Sequence, residues 1–119
     1  MLVIYAADGM NITGQDRVSF ERFIQRGGGL VVIHNGVVSG AQNDGCKRVI
    51  GGSWIHENQR TKWLHGEVGL YFVNNDHPVT QGLSNFDWKD EIYYDLDMSR
   101  DINVLATSFH SVFVIAPQI

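Results

Sequence analysis

One histidine stands where a strand is predicted to end. His34 directly follows the apolar run Leu30–Ile33 and opens a stretch, residues 34–43, that is rich in Gly, Ser, Asn and Gln. In open α/β sheets ligands bind at the carboxyl ends of the strands, so this position predicts a ligand site. The imidazole suits a general base, a neutral metal ligand or a hydrogen-bond donor to a polyol. A histidine held only by hydrogen bonds to the loop backbone is the alternative.

Two tryptophan and histidine pairs follow further along the chain. Trp54 and His56 form the first pair, and Trp63 and His65 form the second. Aromatic faces stack on the apolar face of pyranose rings while polar groups bind the hydroxyls, so this pattern predicts sugar binding. Tryptophans that simply pack a core are the alternative.

Two adjacent carboxylates, Asp90 and Glu91, begin a predicted strand. A carboxylate here could act as a general base, or could bind zinc or another divalent metal together with His34 and His56. The compact His-Glu-x-x-His spacing of zinc proteases is missing, so this metal site is a hypothesis. Adjacent residues point to opposite faces of a strand, so the paired carboxylates of glycosidases are not visible. Two solvated charges at the start of the strand are the alternative.

A strand, a helix and a second strand are predicted before His34. Leu2–Tyr5 and Leu30–Ile33 are apolar runs of the kind that is buried on both faces of a parallel sheet. Between them, Thr13 is a candidate N-cap, apolar residues recur at helical spacing, and Gly27 ends the run. The pattern therefore predicts a βαβ unit with a right-handed crossover.

The second half of the chain contains three more predicted strands. Apolar residues alternate with others over residues 68–73 and 92–97, and residues 104–109 form the next candidate. The polar segment from Trp54 to Gly66 is predicted to be an irregular excursion. Asn74–Pro78 has strong turn chemistry, and we expect His77 to hold this turn by hydrogen bonds.

Composition limits the class of protein and the kinds of partner. The chain has 119 residues, of which 44% are hydrophobic and 18% charged, so we expect one domain over residues 1–119. A formal charge of -4 without a basic run argues against nucleic acid as a partner. No apolar stretch approaches the roughly 18 residues that span a bilayer, and the single Cys46 excludes an internal disulfide. The sequence predicts a soluble chain that does not contact a membrane.

Both ends of the chain are apolar. Residues 1–5 enter a predicted strand at once, and residues 112–119 end without a polar tail, so we expect a fragment that is truncated at both ends. A sheet edge left unpaired by truncation would promote self-association, which makes a homo-oligomer a possible assembly. The cytoplasm is the favoured compartment, and a secreted full-length form stays open.

Five blocks of sequence carry a family resemblance. They are Tyr5–Gly9, Arg26–Gly36, Ile50–Trp54, Asp76–Leu83 and Phe86–Tyr94. In this order and with these gaps, the blocks resemble the trehalose-utilisation (ThuA-like) family, a relative of the class I glutamine amidotransferases. Each block alone is a weak signal, because Gly-rich turns before apolar strands are common, but the five together cover nearly the whole chain.

The resemblance implies a fold and a set of site residues. It implies an α/β, flavodoxin-like, three-layer sandwich with a mostly parallel sheet. It also places His34 at the nucleophile elbow, where the amidotransferases carry cysteine, and favours Glu91 over Asp90 as the second catalytic residue. Four residues are then expected to bind substrate: Asn35, Gly36, Trp54 and His56. Imidazole does not reproduce the acyl-transfer cycle of a thiolate, so glutamine hydrolysis is expected to be absent.

Two classes of function agree with these residues. The resemblance implies an enzyme of carbohydrate metabolism, with a small-molecule sugar such as a trehalose-type disaccharide or its keto derivative as the partner. The alternative is a noncatalytic sugar-binding or interaction module that kept the amidotransferase-like scaffold, because a fold does not determine a function.

Overall fold

The computed structural model describes residues 1–7, 9, 11–39, 48–55 and 62–110 of the chain. Its helices and strands, in chain order, are β1 (Leu2–Ile4), α1 (Gly14–Gln25), β2 (Leu30–Val32), a 3-10 helix (His34–Val37), β3 (Val38–Ser39), β4 (Gly52–Ile55), β5 (Lys62–Phe72), β6 (Phe86–Tyr94), β7 (Asp97–Met98) and β8 (Ala106–His110). Residues 48–50 are also helical. The chain divides into two compact units, which are described separately.

Unit 1 comprises Met1–Lys62 and Tyr93–Asp101. It begins with the predicted βαβ arrangement, in which β1 and β2 pair in parallel with Leu2 opposite Leu30. Thr13 is the N-cap of α1, although its side chain makes no capping hydrogen bond. The parallel pairing of β1 and β2 on either side of α1 is confirmed.

A Schellman motif ends helix α1. The N–H of Gly28 donates to the carbonyl of Phe23 at 3.0 Å, and the N–H of Gly27 donates to the carbonyl of Ile24 at 2.9 Å. Gly27 has a φ of 79°, a left-handed conformation that glycine adopts without steric cost. This motif turns the chain from the end of α1 towards β2.

Phe20 is the centre of the core of unit 1. Its side chain lies on α1, is only 7% exposed, and packs against Ile4 of β1 and Val32 of β2. Burial of an aromatic ring of this size is worth on the order of 2–3 kcal/mol. The helix is therefore fixed on one face of the β1–β2 pair.

The opposite face of this pair differs from the prediction. Val3 is 50% exposed, and Val31 and Ile33 are 42% and 44% exposed, so the expectation of strands buried on both faces is wrong in the described structure. The physical reason is that consecutive strand residues point to opposite faces, and α1 covers only the face that carries Ile4 and Val32.

A second small sheet of unit 1 follows the 3-10 helix. β3 pairs in parallel with β4, and β4 pairs antiparallel with β7 through Gly52 opposite Met98. Ser53 on β4 is 2% exposed. This sheet brings β4, and with it Trp54, close to the segment that follows β2.

Unit 2 comprises Trp63–Ile92 and Ile102–Ile119. Its sheet has the order β6-β5-β8, and β5 is antiparallel to β8 from Val68 opposite His110 to Phe72 opposite Ala106. Burial alternates along β5 and is greatest at Val68. The central strand thus has one inward and one outward face.

Two predictions for local structure have different outcomes. The irregular excursion predicted from Trp54 to Gly66 is wrong at both of its ends, because β4 runs to Ile55 and β5 starts at Lys62. Trp54 and Ile55 pair with β3, and β5 lies between β6 and β8 in its sheet. Polar composition alone does not reveal this pairing. The turn role of His77 is confirmed, since its carbonyl accepts hydrogen bonds from the N–H groups of Thr80 and Gln81 at 2.9 Å.

The fold class is confirmed as a mixture of helix and strand. The described strands form small sheets with both parallel and antiparallel pairs. The mostly parallel three-layer sandwich and the single domain over residues 1–119 stay predictions. Within the described part of the chain, no helix is both long and apolar enough to cross a membrane.

Candidate functional site

The backbone bends sharply at His34, directly after β2. His34 has a φ of 50°, in the left-handed region that residues with a side chain rarely adopt. Such a conformation costs on the order of 1–3 kcal/mol and is commonly found at functional sites. The 3-10 helix starts at this same residue, so the geometry is that of a strand-to-helix elbow.

Gly36 allows the elbow to lie close to β1. A Cβ atom on Gly36 would lie 2.7 Å from Cγ1 of Val32 and 2.8 Å from the carbonyl oxygen of Ile4, so no side chain fits there. The N–H of Gly36 donates to the carbonyl of Ile33 at 2.9 Å, within the elbow itself. Gly36, which the sequence predicted to bind substrate, is therefore the residue that fits the elbow against the sheet.

Tyr93 connects three of the predicted site residues. Its ring centroid lies 5.2 Å from that of His34 and 5.7 Å from that of Trp54. Its hydroxyl donates a hydrogen bond to Oδ1 of Asn35. These four residues all belong to unit 1, and we call them the elbow site.

The elbow site combines aromatic and polar groups at an intermediate level of burial. The rings of Trp54 and Tyr93 provide apolar surface that can contact the C–H groups of a sugar. The imidazole of His34 can donate or accept a hydrogen bond, and the amide of Asn35 can donate with the NH2 group that the Tyr93 bond does not use. This combination suits a small hydroxylated ligand.

Glu91 lies in unit 2, where it pairs with a histidine. Its Oε2 atom is 3.2 Å from Nε2 of His65, and its N–H donates to Oδ1 of Asp90 at 2.8 Å. The ring of Trp63 makes an edge contact with His65 at a centroid distance of 5.4 Å. The second predicted tryptophan and histidine pair is thus a contacting pair next to Glu91.

The hypothesis of a metal site from His34, His56 and Glu91 stays untested. His56 lies outside the described residues, and His34 and Glu91 belong to different units. Among the residues that the structure describes, no three His, Cys, Asp or Glu side chains form a group that could hold a metal ion.

The family of the chain follows from a comparison with family models. The model described as ThuA, trehalose utilisation, matches residues 1–116. The chain belongs to the ThuA family. No curated protein and no solved structure gives a significant match.

Membership of the ThuA family makes the chain a relative of the class I glutamine amidotransferases. It also suggests involvement in trehalose utilisation. The five blocks that suggested the family include the elbow at His34 and the strand β6 that carries Tyr93. The contacts between His34 and Tyr93 thus join two of the blocks in which this chain resembles other ThuA proteins.

Tyr93 is the site residue that the sequence reasoning missed. It lies in the block Phe86–Tyr94, two residues after Glu91, so the block itself was a signal. However, Tyr93 and Tyr94 point to opposite faces of β6, and the alternation does not reveal which face meets the elbow. Only the folded chain identifies Tyr93.

Proposed function

We propose that the elbow site binds a neutral sugar of the trehalose type, or its keto derivative, and that the chain acts in carbohydrate metabolism without glutamine amidotransferase activity. One observation carries the proposal: Tyr93 contacts the rings of both His34 and Trp54 and donates a hydrogen bond to Asn35. A site that joins aromatic surface to groups that bind hydroxyls matches the chemistry of a pyranose.

His34 is the residue that we propose for acid–base chemistry in this site. A neutral imidazole can accept a proton from a sugar hydroxyl and return it. The left-handed backbone at His34 lies two residues before Gly36, which fits closely against Ile4 and Val32. Strain held at a ligand-binding residue is typical of a preorganised site.

Glutamine hydrolysis is excluded in this proposal by the chemistry of residue 34. The amidotransferase cycle needs a thiolate that first attacks the amide and later leaves from the acyl intermediate. Imidazole does not form an equivalent stable acyl intermediate, so the elbow keeps its shape while the thiol-dependent reaction is lost.

Glu91 and a divalent metal remain separate proposals. Glu91 holds its carboxylate beside His65 in unit 2, which leaves it suited to act as a base or to orient the imidazole. A Glu91→Gln variant keeps the shape of the side chain and removes its charge. If the chain converts the sugar, loss of this conversion in the variant would support a catalytic role for Glu91. Conversion at the full rate would exclude such a role.

A second candidate, a noncatalytic sugar-binding module, is favoured by the packing of His34. Its imidazole lies against the ring of Tyr93, so part of its surface serves to shape the site. A module that only binds sugar would need this arrangement and no proton transfer. The two candidates differ in one observable, which is chemical change in the bound sugar.

Calorimetric titration tests sugar binding, which both candidate functions require. The chain is titrated with trehalose and with its 3-keto derivative, with and without zinc, beside a His34→Ala variant. We expect at least one of the sugars to bind and the variant to weaken that binding. The absence of binding under every condition would overturn the proposal.

Proton NMR of the incubated sugar then separates the two candidates. New sugar signals that depend on His34 would establish the enzyme. An unchanged spectrum in the presence of proven binding would establish the binding module.

A further inference from the structure

Gly69 lies at the centre of the outward face of β5 in unit 2. Alternate residues of a strand share a face, so Glu67, Gly69 and Tyr71 lie together on the side opposite the buried Val68. Gly69 has no side chain, and its partner across the sheet is Phe109 of β8. Larger neighbouring side chains occupy the space above this glycine.

The ring of Tyr71 and the carboxylate of Asp87 lie over Gly69. A Cβ atom on Gly69 would lie 2.9 Å from Cε2 and 3.1 Å from the hydroxyl of Tyr71, and 3.1 Å from Oδ1 of Asp87. Both groups thus approach the same point above the backbone of β5. A side chain at residue 69 would force both of them to move.

Tyr71 and Asp87 line an open cleft with a volume of about 620 Å³. Glu67, Lys89 and Phe109 also line it. Volumes of about 300–1,000 Å³ are typical of sites for small molecules. The cleft lies wholly within unit 2 and shares no residue with the elbow site.

Two aromatic side chains of the cleft are exposed. Tyr71 is 45% exposed and Phe109 is 65% exposed, although burial of such rings is favourable. They stand next to two carboxylates, Glu67 and Asp87, and one ammonium group, Lys89. Exposed apolar surface surrounded by polar groups commonly marks a binding site.

We propose that this cleft is a second saccharide-binding site. The rings of Tyr71 and Phe109 would contact the C–H face of a pyranose, and the carboxylates would accept hydrogen bonds from adjacent hydroxyls. Lys89 would donate to a ring or hydroxyl oxygen. Because the cleft is open, a chain of sugar units can extend beyond it, so a neutral oligosaccharide is the class of ligand that fits.

Titration of the full 119-residue chain with maltotriose, cellotriose and trehalose, followed by NMR of the backbone amides, tests this site. We expect at least one sugar to shift the signals of Gly69 and Phe109. A Tyr71→Ala variant should bind this sugar about tenfold more weakly, since it loses the stacking ring. A Tyr71→Phe variant should keep most of the affinity and the fold.

Two further variants serve as controls. Trp63→Ala removes an exposed aromatic side chain of the same strand that does not line the cleft, and should leave the affinity unchanged. His34→Ala alters the elbow site and should leave the signals of the cleft responsive, so the two sites fail or succeed independently.

Three results would overturn the proposal. One is that none of the three sugars shifts the amide signals of the cleft. Another is that Tyr71→Ala, with an intact fold by circular dichroism, binds as well as the unaltered chain. The third is that choline, a quaternary ammonium probe, shifts the same signals more strongly than the sugars, which would assign the cleft to a cation instead.

Discussion

The hydroxyl of Tyr93 donates a hydrogen bond to the side chain of Asn35, a residue 58 positions away in the chain. Asn35 directly follows His34, the residue with the left-handed backbone, and the ring of Tyr93 also lies 5.2 Å from the ring of His34. One side chain therefore holds two consecutive residues of the elbow. The shape of the elbow depends on strand β6 as well as on the strand that leads into it.

Two replacements of His34 should show how much its left-handed backbone costs in stability. Both His34→Gly and His34→Ala remove the imidazole, but only glycine adopts a φ of 50° without steric cost. We expect His34→Gly to be more stable than His34→Ala by about 1 kcal/mol, measured by urea unfolding. Equal stabilities would show that the elbow is not strained in solution.

Gly36→Ala should destabilise the chain. The new methyl group would lie within 2.8 Å of both Val32 and the Ile4 carbonyl, and backbone atoms cannot move aside at low cost. Overpacking of this kind typically costs about 1–3 kcal/mol, which thermal unfolding would detect. Gly29→Ala is the matched control, because the nearest atom to its methyl group would be 4.0 Å away. Similar unfolding temperatures for both variants would contradict the close fit.

Phe20→Ala should be the more damaging of two changes in helix α1. Phe20 is buried against both strands of the βαβ unit, and truncation of a buried phenylalanine costs about 3–5 kcal/mol. Val18→Ala, on an exposed position of the same helix, should change the free energy of unfolding by less than about 1 kcal/mol. The urea midpoints of the two variants check this order. A cost at Phe20 no larger than that at Val18 would show that α1 does not pack as described.

Incubation with glutamine should release no ammonia. The expectation depends on residue 34 being histidine rather than cysteine at the elbow. An enzyme-coupled ammonia assay of the chain and of His34→Ala checks it. Ammonia release that the alanine variant abolishes would show that the imidazole of His34 supports glutamine hydrolysis. It would contradict the proposal that the elbow lacks amidotransferase activity.

The local structure around the elbow follows largely from the sequence. Thr13, Gly27 and the apolar run before His34 predict the ends of α1 and the start of β2 within a few residues, because caps and turns are local effects. Pairing between distant strands is not local. Trp54 and Ile55 of β4 pair with β3, and β5 has both β6 and β8 as neighbours, so the polar residues there gave a wrong prediction.

The residues of the candidate site also divide into those that the sequence predicts and those that only the fold identifies. His34, Asn35 and Trp54 were predicted from strand ends, a family resemblance and aromatic chemistry, and the structure brings them together through Tyr93. The choice between Tyr93 and its neighbour Tyr94 requires knowledge of which face of β6 meets the elbow. Likewise, the sequence predicts that the strands carrying Val3 and Val31 are buried on both faces, but both residues are exposed. The sequence pattern does not reveal which face of a strand a helix covers.

Calorimetric comparison of Tyr93→Phe and Tyr94→Phe with the unaltered chain tests the central claim most directly. Each variant loses one hydroxyl group on the same strand, but only Tyr93 bonds to Asn35 beside His34. We predict that Tyr93→Phe binds the trehalose-type ligand about fivefold to tenfold more weakly, as expected for loss of one hydrogen bond, while Tyr94→Phe binds it normally. Equal affinities for all three proteins would contradict the placement of the sugar site at the elbow.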